Sequence, residues 1–348
     1  KIHESKLKEK DSIWYINSVI LMVCISMTKR ILCVFGKKRQ IALDMAAQKK
    51  GSATTFYGLS PFLLGEHNLF VGTLPVNQRN LFWAILKSDI VVFSKMINKM
   101  PFLRIVFFWK KFILINIDLN RSIKNKKSLL KRFWFFLKIM SFNKIVNFST
   151  SQKVSLERYG VKKSKLEFIH FGIDNLFIEK RLSTHTTRED FYLVVGRDEG
   201  RDNQSVLHLA QKNPDKQFVF VVDSRVVEIN SDASNIVILD NIPFEDLIVL
   251  YQKARAVIVH TYTDEENKGS DSSGQTVVMD ALACGTPVFV SEKSWLQDYP
   301  LIKDNVLIYK KDNLESILLK NSLTKQKTTP YTTMSMYQEW LKIFSSFG

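Results

Sequence analysis

The stretch that decides the fold is residues 269–291, GSDSSGQTVVMDALACGTPVFVS. It begins with small polar residues and continues from about Thr276 as a helix with an apolar face. The helix ends at Cys284-Gly285, because glycine favours the left-handed conformation that closes a helix. The apolar residues 288–290 then indicate a buried strand. A loop, a helix, a glycine turn and a strand in this order are typical of an α/β fold.

The loop before this helix is a candidate anion site. Free backbone N–H groups point outward from a helix N-terminus, and the helix dipole favours a negative charge there. Asp280 follows Thr276 by four residues, so we expect it on the side of the loop opening. Its carboxylate could accept two hydrogen bonds from a vicinal diol such as a ribose. The alternative is an ordinary helix start with Asp280 on a solvated face, and the residues alone leave both open.

The same residues resemble the donor-site signature of GT-B glycosyltransferases of family 4, which are retaining enzymes that use nucleotide sugars. That signature is E-G-F-G-x-x-x-x-E-A-x-A-x-G-x-P-V, and residues 280–288, DALACGTPV, match its second half closely. In the first half of the signature, Ser272 occupies the place of the first Glu, and Ser273-Gly274-Gln275 replaces G-F-G. Asp280 replaces the second Glu. The family's first Glu contacts the donor sugar or phosphate, so its replacement leaves the sugar open.

The resemblance implies an α/β protein of the GT-B fold, with two Rossmann-like domains that face each other across a cleft. It implies that the donor is a nucleoside-diphosphate sugar, linked to UDP or GDP, and that no cofactor is needed. The implied donor-binding residues are Ser272, Ser273, Gly274, Gln275, Thr276 and Asp280. The segments GIDNLF at 172–177 and NIPFEDL at 241–247 also resemble family 4 segments, whereas residues 30–140 resemble it in topology alone.

Length and composition fit two medium-sized domains. The chain has 348 residues, 45% of them hydrophobic and 12% aromatic, with only 8 Pro and 13 Gly, so we expect real cores and little disorder. Its three cysteines, Cys24, Cys33 and Cys284, show no CxxC spacing. They therefore indicate a reducing compartment such as the cytoplasm, without a zinc site or a disulfide framework.

Alternating strand and helix patterns from residue 31 predict parallel sheets covered by helices. We expect an N-terminal extension at 1–28, an acceptor-side Rossmann-like domain at 29–180 and a nucleotide-sugar-binding domain at 181–330. Within residues 1–28 the apolar run is short for a membrane span. The resemblance implies that a last helix, within 331–348, packs back on the first domain.

The net charge of +16 is unevenly distributed. Residues 1–188 hold 34 Lys and Arg against 11 Asp and Glu, and residues 189–348 hold 16 against 23. A strongly basic first half predicts an anionic partner, either a membrane surface or a nucleic acid. Neither an RNP-like motif nor a helix-turn-helix pattern is visible, so we expect no nucleic acid. We expect a cytoplasmic protein, with possible peripheral contact at the inner face of a membrane.

Two arginines in the segment GRDEGRD, Arg197 and Arg201, follow a predicted strand. Ligands bind at the carboxyl ends of parallel strands, and a guanidinium can bind a pyrophosphate through two hydrogen bonds. The alternative is that Arg197 pairs with Asp198 or another nearby carboxylate on a solvated loop. The donor-site interpretation is favoured because the loop around Gly274 lies in the same half of the chain.

Enzymes of the other main glycosyltransferase fold use a D-x-D triplet to hold a divalent metal against the diphosphate. This chain has no such triplet, so we expect catalysis without a metal. The two arginines and the helix N-terminus would then stabilise the departing nucleoside diphosphate. Family 4 enzymes are thought to work by front-face attack, which needs no protein nucleophile. Asp118, after the predicted strand at 112–117, either orients an acceptor hydroxyl or caps the next turn.

Two further features are candidates for binding. The segment 124–138, KNKKSLLKRFWFFLK, is either an interfacial helix on anionic lipid or a sheet-covering helix with Phe133, Phe136 and Leu137 in the core. His170 and His260 are expected to be structural or rim residues.

The expected activity is therefore a retaining, metal-independent transfer of a hexosyl group from a nucleoside-diphosphate sugar to a glycan or lipid-linked acceptor. Polysaccharide biosynthesis is the setting that the resemblance implies. The alternative is a catalytically inactive GT-B relative that acts as a nucleotide- or partner-binding subunit. A nucleic-acid-binding protein is a more distant third.

Overall fold

The computed structural model describes residues 29–36, 42, 45–46, 48, 50–61, 70–74, 78–117, 119–124, 128–179, 182, 187–196, 198–224, 229–240, 242–266, 268–319 and 331–348. The expected N-terminal extension at 1–28 lies outside these residues. So do two of the three residues for which a catalytic role was predicted, Arg197 and Asp118.

The described residues form two parallel sheets of six strands each, as the alternating pattern predicts. The first sheet has the order β2-β1-β3-β4-β5-β6. Its strands are β1 (Ile31–Gly36), β2 (Phe70–Leu74), β3 (Ile90–Phe93), β4 (Lys111–Ile115), β5 (Lys144–Asn147) and β6 (Leu166–Phe168). Short runs of apolar residues form β1, β3 and β4, and these are buried because helices cover a parallel sheet on both faces.

The second sheet has the order β9-β8-β7-β10-β11-β12. Its strands are β7 (Phe191–Gly196), β8 (Gln217–Val222), β9 (Ile236–Asp240), β10 (Ala256–Val259), β11 (Val288–Ser291) and β12 (Leu307–Tyr309). The chain runs outward from β7 to β9 and then returns to the other side of β7 at β10. The strand order therefore reverses between β7 and β10, which is where open α/β sheets bind ligands.

Eleven α-helices lie within the described residues. They are α1 (Gln78–Lys87), α2 (Met100–Val106), α3 (Leu119–Lys124), α4 (Leu129–Met140), α5 (Thr150–Arg158), α6 (Asn175–Glu179), α7 (Asn203–Lys212), α8 (Phe244–Lys253), α9 (Gln275–Ala283), α10 (Pro300–Lys303) and α11 (Thr333–Ser345). The organising helix α9 ends as predicted, because Gly285 has a φ of +70°.

The two halves of the chain are joined by buried hydrogen bonds. The Tyr299 hydroxyl donates to the Phe148 carbonyl at 2.9 Å and accepts from the Phe171 amide at 2.7 Å. The last helix, α11, packs on the first half, where the Trp340 ring N–H donates to the Tyr57 carbonyl at 2.7 Å. The predicted return of the C-terminal helix is therefore confirmed.

Some local predictions were wrong. The threonines at 54–55 favour a strand, yet residues 54–56 lie in a 3-10 helix at Ala53–Phe56, whose first turn is capped by the Ser52 hydroxyl. Residues 129–138 of the basic segment at 124–138 lie in α4, which buries Phe135 and Ile139. Phe133 was assigned to the core under one alternative, yet it is 56% exposed.

None of the helices in the described ranges is long and apolar enough to cross a membrane.

Candidate functional site

The candidate site lies at the carboxyl ends of β7 and β10, where the second sheet reverses its strand order. The loop after β7 carries Asp198 and Arg201, and the loop after β10 leads to helix α9. An antiparallel bridge between Arg201 and Thr261 joins the two loops, and the Tyr262 amide donates to the Gly200 carbonyl at 3.1 Å. Residues from two distant parts of the sequence are thereby held in one place.

Helix α9 begins one residue earlier than predicted, at Gln275, with Gly274 as its N-cap. Gly274 has a φ of +96°, a conformation that glycine adopts without steric cost. No side chain of the described residues caps this N-terminus. The positive end of the helix dipole therefore faces the loop after β7, as the anion-site interpretation requires.

The Arg201 guanidinium is buried beside this helix start. Its side chain is 3% exposed, and its Nε lies 3.5 Å from Asp198 Oδ2, within ion-pair distance but without a hydrogen bond. Neither Nε nor the buried guanidinium NH1 has a hydrogen-bond partner among the described residues. Buried charged groups are normally hydrogen-bonded, so Arg201 holds unused donors for an anion. The alternative of a solvated loop was raised for Arg197, which lies outside the described residues, so it stays open.

Asp198 is engaged in holding the two loops together. Its Oδ1 accepts a hydrogen bond from the Ser273 hydroxyl at 2.7 Å and another from the Gly200 amide at 2.7 Å. Sequence reasoning considered this carboxylate only as an ion-pair partner for arginine. Its bond to Ser273 spans 75 residues of sequence, and no local pattern signals a contact of that range.

The predicted donor-binding residues lie together along one cleft of about 720 Å³ between the two halves. Ser272, Ser273, Gly274, Gln275, Thr276 and Asp280 all line it. From the first half, Tyr57, Ile117, Phe148 and Phe171 line the opposite wall.

One residue of the loop before α9 and the first residue of α9 contact the first half directly. The Ser270 hydroxyl donates to the Ile117 carbonyl at 3.1 Å, and the Gln275 side-chain amide donates to the Phe148 carbonyl at 3.4 Å. Gln275 therefore contributes to the contact between the two halves. Thr276, by contrast, is exposed and presents its side chain to the cleft.

Asp280 lines the cleft but is buried, with 5% of its surface exposed. Burial raises the pKa of its carboxyl group from 3.8 to about 8, because ionisation is costly away from water. Its Oδ1 has no hydrogen-bond partner among the described residues. The alternative that placed Asp280 on a solvated face is wrong, and the side chain is an acceptor available to a bound hydroxyl.

His260 is structural, as predicted. It is buried, its Nδ1 lies 2.9 Å from the Tyr309 hydroxyl, and burial lowers its pKa to about 4. His170 likewise bonds to Glu339, at 2.9 Å, and so contributes to the docking of α11. Across the described ranges, we found no group of three or more His, Cys, Asp or Glu side chains that could hold a metal ion.

Gly274→Ala is expected to destabilise the protein and to disturb Arg201. An added Cβ would lie 2.9 Å from Val259 Cγ1 and 3.0 Å from the Arg201 guanidinium, and the φ of +96° is strained for alanine. We expect a loss of about 1–3 kcal/mol in the free energy of unfolding, measured by urea denaturation.

Gly285→Ala is the matched control, because Gly285 also has a positive φ, +70°, but its Cβ would meet nothing within 4 Å. The loss in its free energy of unfolding therefore measures the cost of the strained backbone alone. Equal losses in the two variants would contradict the close packing of Gly274 against Arg201.

No protein-family model matches this chain. No curated protein matches it either. Solved structures do resemble it. HepE from Anabaena, solved in complex with UDP, superposes with a TM-score of 0.60 at 13% identity, covering 91% of this chain and 100% of that one. AviGT4, a glycosyltransferase involved in avilamycin A biosynthesis, gives a TM-score of 0.56 at 13% identity, covering 92% and 98%.

A UDP-N-acetylglucosamine 2-epimerase gives a TM-score of 0.50 at 12% identity, covering 92% of this chain and 97% of that one. At these identities the likeness is one of fold. Together with the two parallel sheets and the cleft between them, it shows that this chain has the GT-B fold.

Proposed function

We propose that the protein is a glycosyltransferase that moves a sugar from a nucleoside-diphosphate sugar to an acceptor, with retention of the anomeric configuration and without a metal. The observation that supports this most strongly is Arg201. It is a buried cation with two nitrogens that have no hydrogen-bond partner among the described residues, and it lies beside a helix N-terminus at the reversal point of the second sheet. That combination fits the diphosphate of a nucleotide sugar.

In the proposed reaction the bond between the sugar's anomeric carbon and the diphosphate breaks. The acceptor oxygen forms the new bond on the same face, and the acceptor's proton passes to an oxygen of the departing phosphate. Arg201 and the N-terminus of α9 stabilise the negative charge that develops on that phosphate. No protein nucleophile takes part in this scheme.

The nucleoside end of the donor is assigned to Asp280. A ribose hydroxyl that donates to Asp280 Oδ1 would give this buried oxygen the partner it lacks. Apolar residues beside it in the cleft, among them Val195, Phe244 and Leu247, provide a surface for a flat base. A comparison of the affinities for UDP and GDP identifies the base as uracil or guanine.

A non-catalytic relative that binds a nucleotide without turnover is the second candidate. Ser272 favours it, because a serine replaces the first Glu of the family 4 signature. In the structure the Ser272 amide donates to the Ser270 hydroxyl at 3.3 Å.

Turnover separates the two candidates. The protein is incubated with UDP-linked and GDP-linked hexoses in EDTA, and release of the nucleoside diphosphate is followed with and without membrane extract as acceptor. Release that is lost in Arg201→Ala supports the transferase. Nucleotide binding without release supports the non-catalytic relative, and neither binding nor release contradicts both.

The proposed partner of the first half is an anionic membrane surface. Large apolar side chains are exposed on α1, on α2 and just after α2, and we call them the aromatic surface: Phe82, Trp83, Phe102, Ile105, Phe108 and Trp109, which are 39–75% exposed. Several of their rings contact one another, as between Phe108 and Trp109, whose centroids lie 5.1 Å apart. Residues 81–140 contain 13 Lys and Arg against two Asp. Exposed aromatics among cations are typical of surfaces that bind anionic lipid.

Vesicle binding tests this partner. The protein is expected to co-sediment with phosphatidylglycerol vesicles more than with phosphatidylcholine vesicles. The double variant Phe108→Ser/Trp109→Ser is expected to reduce binding by at least about 30-fold, since each buried aromatic contributes over about 1 kcal/mol. Leu301→Ser is the matched control, because Leu301 is 53% exposed in the other half. Equal loss in the control variant would contradict the assignment.

A further inference from the structure

A second cavity lies in the first half of the chain, beside the cleft. Its volume is about 560 Å³, and it runs between the loop after β3 and helix α4. We call it the lysine groove. Its apolar wall is formed by Met96, Leu119, Leu130, Trp134 and Phe135.

The groove carries positive charge on its walls. Lys95, Lys131 and Lys138 line it, and no carboxylate is found among the described residues of its lining. Lys138 is held in place by a hydrogen bond from its Nζ to Asn98 Oδ1 at 2.8 Å. The groove therefore combines an apolar wall with three cations, which matches a ligand that has an anionic end and a hydrocarbon part.

The groove is open to solvent on the side of α4. Leu130 is 66% exposed and Trp134 is 51% exposed. A hydrocarbon chain laid along them would remove both side chains from water, which is favourable in proportion to the area buried. A Trp and lysines at the opening also suit the boundary between water and lipid.

The groove adjoins the cleft at Ile117. Ile117 lines both cavities, and its carbonyl accepts the hydrogen bond from Ser270 in the loop before α9. A ligand in the groove therefore lies next to the place where the sugar would be transferred.

We propose that the lysine groove binds the acceptor, and that the acceptor is an amphiphile in which a phosphate or diphosphate is carried on a long hydrocarbon chain. The lysines hold the anion, and the chain lies along the apolar wall toward the open side at Leu130 and Trp134. Naming this ligand the acceptor rests on the proposed function, whereas its binding to the groove does not.

Farnesyl phosphate is a suitable probe, because its short chain keeps it monomeric at low concentration. Its binding to the full-length protein is measured by calorimetry without nucleotide, beside farnesol and inorganic phosphate. Farnesyl phosphate is expected to bind at least tenfold more tightly than either. Equal binding of inorganic phosphate would mean a plain anion site, and equal binding of farnesol a plain apolar site; both outcomes overturn the proposal.

Two variants locate the site. Trp134→Ser and Lys131→Glu are each expected to weaken farnesyl phosphate at least tenfold. Leu176→Ser and Lys163→Glu are the matched controls, since both residues are exposed in the same half but lie outside the groove and outside the aromatic surface. Melting temperatures confirm that the variants are folded. Absence of binding, or equal binding in all four variants, overturns the assignment to this groove.

Nucleotide binding on the same samples separates this inference from the proposed function. Absence of farnesyl phosphate binding to the wild type, with UDP or GDP binding intact, contradicts only the groove. Farnesyl phosphate binding without any nucleotide binding contradicts only the transferase.

Discussion

Arg201→Ala is expected to weaken the binding of UDP or GDP by about 100-fold or more. The guanidinium Nε and NH1 of Arg201 are buried and have no hydrogen-bond partner among the described residues. A diphosphate that accepts from both would gain two charge-assisted hydrogen bonds, each worth about 1.5–3 kcal/mol. Isothermal titration calorimetry on wild type and variant measures the difference directly.

The same substitution separates a binding role from a structural one. If Arg201 serves only to hold the fold, its removal should lower the melting temperature of the ligand-free protein. We expect instead that Arg201→Met, which keeps most of the side-chain volume, melts at the same temperature or higher, because it removes a buried charge whose hydrogen bonds are incomplete.

Arg158→Ala is the control, since Arg158 is exposed on α5 and does not line the cleft. It should leave nucleotide affinity unchanged. An unchanged affinity in Arg201→Ala would contradict the assignment of Arg201 to the diphosphate.

Asp280→Asn is expected to make the ligand-free protein more stable at pH 8 by several kcal/mol. Burial raises the pKa of Asp280 from 3.8 to about 8 in the folded state. Between these values the unfolded chain releases the proton while the folded chain keeps it, so the stability of the wild type falls as pH rises through this window. The variant has no proton to lose at this position.

The measurement is the free energy of unfolding from urea denaturation at several pH values from 4 to 8. The gap between Asp280→Asn and wild type should widen with pH by up to about 1.4 kcal/mol per pH unit. Asp304→Asn, at an exposed carboxylate, is the control for removing one acidic group from the surface. A gap that does not change with pH would contradict the buried, protonated state of Asp280.

Nucleotide binding should also release a proton. A ribose hydroxyl that donates to Asp280 stabilises the ionised carboxylate and so lowers its pKa. Calorimetric titrations at pH 7 in two buffers with different ionisation enthalpies would then give different binding enthalpies.

Much of the second half could be predicted from its sequence, because its signals are local. Gly285 ends α9 and begins the turn to β11, and the polar loop before Gly274 marks the helix start within one residue. The β-α alternation likewise predicts parallel strands. Such features depend on the conformational preferences of a few neighbouring residues. These preferences are strong at glycine turns and in apolar runs.

Other parts could not be predicted, since they depend on contacts across the fold. Arg201 and Asp280 are buried in a cleft that residues from both halves of the chain line, and no local sequence pattern shows this. Short elements were missed for a similar reason: β2, β12 and α2 are stabilised by their neighbours in the sheet and helix layers. The threonines at 54–55 favour a strand, but the Ser52 cap and the left-handed Tyr57 enforce a 3-10 turn.

The most direct test of the central claim is a crystal structure of the protein with UDP or GDP bound. The account predicts that the diphosphate lies at the N-terminus of α9, with its oxygens within hydrogen-bond distance of the Arg201 guanidinium, and that the ribose lies against Asp280. A nucleotide bound elsewhere, or one whose diphosphate lies away from Arg201, would contradict it.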